Sequence, residues 1–247
     1  MIEVKADLVW RPNKQIILFY LIENVLHMAE FFTVLSADLI DSRHARDRAA
    51  LAERIEAVLA QLGGRDWWRA APMTTRGIDE MSAVLARPER AYDAAFELNL
   101  AIWPARFRVA LADGPLDINP HSRVAADMDG PAFHAAAAAI GRARDEERAF
   151  AVALSGIDLS QRDLVEALAH LHDTLMQRWS RRALPALRLY HAGLTQEQVA
   201  ERLAVTQQAV SAMLGRAHWQ QMAQARAAIR VALADWLAAR PASGAAA

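Results

Sequence analysis

From Phe31 onward the apolar and polar positions alternate in patterns that predict short strands separated by longer helices. The apolar run 31–37 is typical of a buried strand, whereas 47–62 has apolar residues at helical spacing before two glycines. The elements predicted after it are strands 72–76 and 81–85, helix 88–103, strand 106–112 ending at Asp113-Gly114, helix 131–144 and strand 149–154. This pattern predicts an α+β fold with helices packed on a sheet.

Strand signals stop after residue 154, and the rest of the chain has helical patterning. A helix beginning at Ser160 carries one apolar stripe, formed by Leu164, Leu168, Leu171, Leu175 and Trp179. We therefore predict an α/β domain over 28–156 and a helical domain over 160–239, with the boundary near 156–160.

Two short helices are predicted between residues 194 and 216. Thr195 and Gln198 have the spacing of a capping box, which starts the first helix, and Thr206 caps the second. We expect Val205 to fill the turn between the helices. The other apolar positions, which we expect to face inward, are Val199, Ala200, Leu203, Val210, Met213 and Leu214.

This spacing resembles the helix-turn-helix of DNA-binding proteins, with Ala204 at the turn position where glycine is usual. The resemblance implies double-stranded DNA as partner. On the recognition helix, the residues placed to contact base edges are Thr206, Gln207, Gln208 and Ser211. Arg202 and Arg216, with Arg181 and Arg182, are candidates for phosphate contacts. The alternative is a helical hairpin that serves only packing, with solvated arginines.

The composition limits how DNA could be bound. The net charge is −1, so the protein does not coat nucleic acid by bulk electrostatics, and any contact must be local. One helix-turn-helix contacts few phosphates, so we expect a homodimer that pairs through the leucine stripe or through an apolar face of the final helix, 219–237. The chain has no cysteine, which excludes disulfides and thiol catalysis.

The two ends of the chain differ from the middle. Lysine occurs only at Lys5 and Lys14, and alanine becomes frequent only after Met28. We expect residues 1–27 to be an extension outside the native fold, with Met28 as the natural start, and 240–247 to be a disordered tail. The apolar run 15–22 is too short to span a bilayer, so we expect no membrane partner and a cytoplasmic protein.

Acidic residues follow two predicted strands. Asp38 comes after the first strand, and Asp79 lies at the tip of the hairpin 72–85. Carboxylates at strand ends often hold Mg²⁺ together with substrate phosphates. If the two strands are neighbours, Asp38 and Asp79 could share a Mg²⁺ ion with a bound nucleotide, whereas the alternative role of such residues is to form turns and caps.

Several motifs together resemble the SatD family over nearly all of residues 28–236. They are Ser36-Ala-Asp-Leu-Ile-Asp-Ser-Arg43, Arg76-Gly-Ile-Asp-Glu80, Phe107-Arg-Val-Ala-Leu-Ala-Asp-Gly114, Asp129-Gly-Pro-Ala-Phe-His134 and the helix-turn-helix. The resemblance implies a bacterial regulator with an N-terminal palm domain and a C-terminal DNA-binding domain.

The order of elements also resembles the palm of class III nucleotide cyclases, which has a ferredoxin-like fold. That resemblance places the metal ligands at Asp38 and Asp79, but Ile78 separates the hairpin glycine from Asp79, and His134 and Ala138 stand where the cyclases have Asn and Arg. Because that arginine stabilises the transition state, we expect a palm that senses a nucleotide or mediates self-association rather than an enzyme. The alternatives are a metal-dependent nucleotidyl enzyme tethered to DNA and an interaction module without catalysis.

Overall fold

The computed structural model describes residues 30–41 and 47–239, so the predicted extension 1–27 and tail 240–247 lie outside the described residues. A short 3-10 turn, Pro88–Arg90, leads into the second helix. In chain order the strands and helices are β1 (Phe31–Ile40), α1 (Arg48–Gly63), β2 (Trp68–Arg76), β3 (Glu80–Leu85), α2 (Ala91–Ile102), β4 (Arg106–Pro115), α3 (Pro131–Asp145), β5 (Phe150–Ala153), α4 (Leu159–Gln177), α5 (Leu184–His191), α6 (Gln196–Leu203), α7 (Gln207–Arg216) and α8 (Trp219–Ala239).

The strands form one five-stranded sheet in the order β2-β3-β1-β4-β5, which confirms the predicted α+β class. β1 lies in the centre and runs antiparallel to both β3 and β4. β2 pairs antiparallel with β3 at one edge, and β5 pairs parallel with β4 at the other. The parallel pair needs a crossover connection, which α3 provides.

Helices cover both faces of the sheet, as the side-chain alternation in β1 requires. Leu35, Ala37 and Leu39 belong to a core shared with α1 and α2. Phe32 and Val34 point to the opposite face, where a second core contains four buried alanines of α3, Ala132, Ala136, Ala139 and Ala143. The small alanine side chains let α3 lie close to the sheet.

β4 is longer than the sequence indicates, because it continues through Asp113 and Gly114 to Pro115. Gly114 pairs with Phe32 in β1, and a Cβ atom added there would lie 3.1 Å from the backbone nitrogen of Ala132. The glycine therefore lets the start of α3 approach the strand rather than ending the strand.

Residues on both sides of the predicted boundary near 156–160 share one hydrophobic core. Ile229, Leu233 and Trp236 of α8 are buried in the core that contains α1, α2 and one face of the sheet. Arg230 of α8 also makes a bidentate ion pair with Asp93 of α2, at 2.8 and 2.9 Å. The described chain from Phe31 onward accordingly belongs to one compact unit.

An aromatic cluster joins α2 to the C-terminal helices. Trp179 stacks on Trp219 with ring centroids 6.1 Å apart, and Phe96 of α2 makes edge contacts with both rings. The same core contains Val199 of α6 and Val210 of α7, both fully buried. These contacts fix the α6–α7 pair to the rest of the molecule.

Glu166 links α4 to the sheet and to α3. Its side chain is only 1% exposed and accepts hydrogen bonds from Arg142, Arg148 and the backbone amide of Val152 in β5. Burial raises the pKa of the Glu166 carboxyl, but the hydrogen bonds from Arg142 and Val152 outweigh burial, so the pKa lies below its usual range. Glu166 is therefore ionised and fully paired in the folded protein.

Candidate nucleic-acid interface

The start of α6 has the predicted capping box. The Thr195 hydroxyl accepts a hydrogen bond from the Gln198 amide at 3.3 Å, and the Gln198 side-chain oxygen accepts one from the Thr195 amide at 2.8 Å. Two backbone donors that the helix leaves unpaired are thus satisfied. The capping box fixes where α6 begins relative to the preceding helix.

The turn between α6 and α7 depends on one left-handed residue. Ala204 has φ 52° and ψ 45°, and the amide of Val205 donates to the carbonyl of Ala200 at 3.0 Å. Thr206 then caps α7 by accepting from the amide of Ala209. The prediction that Val205 fills the turn is wrong, because Val205 is 38% exposed. The fully buried Val199 and Val210 fill the space between the two helices instead.

We expect Ala204→Gly to stabilise the protein, because alanine is strained in the left-handed conformation and glycine is not. Relief of the strain should raise the free energy of unfolding, but glycine also gives the unfolded chain more conformational entropy, which offsets part of this gain. The expected net gain is about 0.5–1 kcal/mol. Urea unfolding measures it. Ala212→Gly, in the exposed middle of α7, is the matched control and should destabilise instead. Equal losses in both variants would contradict the strained turn.

The outer surface of this helix pair is polar and open to solvent. Five residues at the N-terminal end of α7, which include all the predicted base-contacting residues, are exposed: Thr206, Gln207, Gln208, Ser211 and Ala212. On the inner side, Val210 and Leu214 are buried and Met213 is partly buried. The structure therefore brings the predicted base-contacting residues together on one unobstructed face.

Gln196 is a residue of this surface that sequence reasoning missed. Its side-chain oxygen accepts a hydrogen bond from the Gln207 amide nitrogen at 2.6 Å. Each glutamine is the first residue of its helix, so the turn between α6 and α7 brings the two side chains together. The shared first position of the two helices is the sequence signal that could have revealed this contact. The bond restricts the Gln207 side chain and leaves its oxygen available as an acceptor.

Basic residues flank the exposed face. Arg202 and Arg216 lie at the ends of α6 and α7, Arg181 and Arg182 precede α5, and all four are exposed. Within 30–41 and 47–239, none of these four arginines forms an ion pair with a carboxylate. Nearby Glu197 is exposed, and hydrogen bonds from its own backbone amide and from the Thr195 hydroxyl hold the pKa of its carboxyl below the usual range.

Of the two carboxylates predicted to hold Mg²⁺, Asp38 lies in β1 and Asp79 lies in the turn that precedes the neighbouring strand β3. Asp38 of β1 pairs across the sheet with Glu80 of β3, the residue that follows Asp79. An oxygen of Asp38 lies 2.9 Å from Arg144 and 3.4 Å from Arg108, and Asp79 lies 3.5 Å from Arg48.

Arginine side chains lie beside both carboxylates. Both carboxylates already face cations, and the described residues contain no group of three His, Asp or Glu side chains that could hold a metal. This arrangement does not fit a magnesium site shared by Asp38 and Asp79. The geometry of this part of the sheet instead indicates ion pairs that join β1 and β4 to the end of α3.

The chain matches no model of a known protein family, and no curated protein is similar to it. The resemblance to the SatD family therefore depends on the sequence motifs alone. Among the described residues, no helix has both the length and the apolar character needed to cross a membrane.

Proposed function

We propose that this protein is a cytoplasmic DNA-binding regulator that reads the major groove with the N-terminal half of α7. The observation that carries the proposal is the exposed polar face at Thr206, Gln207, Gln208 and Ser211, on a helix whose opposite side is buried. The capped start of α6 and the tight turn at Ala204 support the proposal, because a helix-turn-helix joins its two helices through such a short turn. The α6–α7 pair is then a helix-turn-helix, with α7 as its recognition helix.

Gln207 has the chemistry to read adenine. A glutamine side chain can accept from the adenine N6 amino group and donate to N7 at the same time. In the free protein one hydrogen of the Gln207 amide is engaged by Gln196, which leaves the second hydrogen and the oxygen for the base. Gln196 is thus a positioning residue that reduces the entropy lost when Gln207 binds a base.

In this proposal four exposed arginines provide the contacts to the DNA backbone. Arg202 and Arg216 lie in α6 and α7, and Arg181 and Arg182 precede α5; among the described residues none of the four has a carboxylate partner that it would have to leave to contact a phosphate. Such contacts position the protein on the duplex without reading its sequence. The affinity should therefore fall as the salt concentration rises.

The proposed regulator is a homodimer that pairs through the outer face of α4. Leu164, Leu168, Leu171 and Leu175 follow one another at spacings of four, three and four residues, and Leu164 and Leu171 are 56% and 61% exposed. Repeated leucines at this spacing pack well against a second copy of the same helix. The final helix is less suitable, because Trp219, Ile229 and Trp236 are buried within their own chain.

We also propose that the sheet with α1, α2 and α3 is a ferredoxin-like palm of the SatD type. The support is the central position of β1, antiparallel to both neighbours, with β5 added at the edge beside β4. In this proposal the palm has a regulatory role, because the arginine partners of Asp38 and Asp79 do not suit a catalytic metal pair.

We expect Gln207→Ala to remove sequence preference at one base pair of the bound site. The loss should be about 1–3 kcal/mol of discrimination against the other bases, while affinity for unrelated DNA stays unchanged. Gln196→Ala should lose less, because it removes only the positioning bond. Competition binding with a panel of singly substituted duplexes measures each preference.

Gln221→Ala is the matched control for these variants, because Gln221 is an exposed glutamine on α8. It should bind the whole panel of duplexes as the wild type does. An unchanged base preference in Gln207→Ala would contradict the proposed reading of DNA by α7.

A further inference from the structure

A pocket lies between helices α1 and α2, which pack on the sheet, and helix α5, which precedes the α6–α7 pair. Its volume is about 540 Å³, and its walls come from α1, α2 and the C-terminal end of α5. This volume lies within the range of sites for small organic ligands. The described lining of the pocket includes neither Asp38 nor any residue of α6 or α7.

The wall of the pocket combines an apolar surface with two cations. Val58, Leu100 and Ala101 supply the apolar part, and Arg188 and Arg65 supply guanidinium groups. Arg188 donates hydrogen bonds to the backbone carbonyls of Leu100 and Ala101 at 3.0 and 2.8 Å. A guanidinium has five N–H donors, so Arg188 keeps donors for a ligand while its position is fixed.

Positive charge exceeds negative charge in this pocket. Glu97 is the one carboxylate among the described residues of the wall; it is bound by Arg65 at 2.9 Å and lies 3.7 Å from His191. Arg188 has no carboxylate partner within residues 30–41 and 47–239. Burial lowers the pKa of Arg188, and the positive charge of Arg54 lowers it further. An anion in the pocket would favour the charged form of Arg188 and so oppose the effects of burial and of Arg54 on its pKa.

We propose that this pocket binds a small organic anion, with its charged group on Arg188 and its apolar body against Val58 and Leu100. The charged group is a carboxylate, sulfonate or phosphate, each of which an arginine can bind with two parallel hydrogen bonds. Glu97 disfavours a ligand with a second negative charge near Arg65, so the fitting ligand carries its charge at one end.

A ligand in this pocket could also regulate DNA binding, an extension that rests on the proposed DNA-binding function. Its wall ends at Ala192 and Gly193, two residues before Thr195, which caps α6. Leu194, between them, packs on the core that contains Val199 and Val210. A ligand that holds the end of α5 therefore constrains the start of the helix-turn-helix.

The binding test uses the fluorescent probe 1-anilinonaphthalene-8-sulfonate, an organic anion with an apolar body, titrated into the full chain without DNA. We expect saturable binding at one site. Arg188→Gln should weaken it at least tenfold, and Arg65→Gln should weaken it severalfold, because that change also leaves the Glu97 charge uncompensated. Arg76→Gln removes an exposed arginine at the end of β2, outside the pocket, and is the matched control.

Arg65→Gln keeps the proposal testable if Arg188→Gln does not fold, since the Arg65 side chain is 40% exposed and lies at the edge of the core, against Glu97 and the Trp67 ring. Benzoate and phenyl phosphate should compete with the probe, and their relative strength shows whether the site prefers a carboxylate or a phosphate. The proposal is overturned by absent saturation, by competition from neither anion, or by binding that Arg65→Gln leaves unchanged. None of these outcomes depends on whether the protein binds DNA.

Discussion

Glu166→Ala should lower the free energy of unfolding by about 3 kcal/mol or more, a loss typical of variants that remove one partner of a buried ion pair and leave the other. The carboxylate is 1% exposed and binds two arginines and the Val152 amide. Its removal leaves Arg142 and Arg148 paired with the more exposed Glu146 instead of a buried carboxylate, and it leaves a buried amide without an acceptor. Denaturant unfolding followed by circular dichroism measures the change.

Glu146→Ala is the matched control, because Glu146 contacts the same two arginines from a position that is 40% exposed. It should cost less than about 1 kcal/mol, as expected for a surface ion pair. Comparable losses in the two variants would contradict the role given to Glu166.

The stabilisation by Glu166 should also depend on pH. Its folded-state pKa is depressed, so the stabilisation is complete above the pKa of the unfolded chain and is lost as the pH falls through the folded-state value. The difference in stability between the wild type and Glu166→Gln should therefore shrink in acid. A constant difference from neutral pH to strong acid would mean that the ionised carboxylate is not the stabilising species.

Leu171→Arg should separate the proposed dimer and lower DNA affinity by about a hundredfold, because two linked recognition helices bind far more tightly than one. The arginine places a charge in the centre of the leucine face, next to Leu164, Leu168 and Leu175. Because Leu171 is 61% exposed in its own chain, the fold should be unaffected. Sedimentation gives the mass, and fluorescence anisotropy with a selected duplex gives the affinity.

Val231→Arg makes the same change at an exposed valine of α8, which is 59% exposed, and it should leave the dimer intact. The account of dimerisation fails if Leu171→Arg remains a dimer, or if the wild type is already a monomer at micromolar concentration.

Local sequence signals predicted the parts of the fold that depend on neighbouring residues. Thr195 and Thr206 cap α6 and α7, as the spacing of these residues indicates. Gly77 likewise predicted the position of the turn between β2 and β3. Caps and tight turns involve residues three or four positions apart, so the printed sequence contains the whole interaction.

Features that depend on residues far apart in the chain could not be predicted from local sequence signals. The spacing of the leucines predicted that they share one face of α4, but periodicity does not show which face of a helix packs inward. Val165, Ala169 and Met176 are buried in the core, Leu164 and Leu171 are exposed, and Leu168 and Leu175 are partly buried at the edge of the core. The Asp38–Arg144 ion pair joins residues 106 positions apart. Only the folded sheet shows that this carboxylate faces arginines.

The candidate interface was predicted in its outline and not in its detail. The exposed positions of Gln207, Gln208 and Ser211 agree with the sequence pattern, whereas the Gln196–Gln207 hydrogen bond depends on the crossing of two helices. That crossing depends on Ala204 adopting the left-handed conformation despite its methyl group. The sequence predicts strain at Ala204 because glycine is usual at this position, and the structure shows the backbone conformation that causes it.

Selection of binding sites from a pool of random-sequence DNA duplexes tests the central claim most directly. The full chain, at an ionic strength where nonspecific contacts are weak, should enrich a palindromic site whose half-sites lie about 34 Å apart, one turn of the double helix. Adenine should occur at a fixed position in each half-site, and Gln207→Ala should lose that adenine while enriching the rest of the site. A pool that shows no enriched sequence after repeated rounds would contradict the claim that this protein reads DNA.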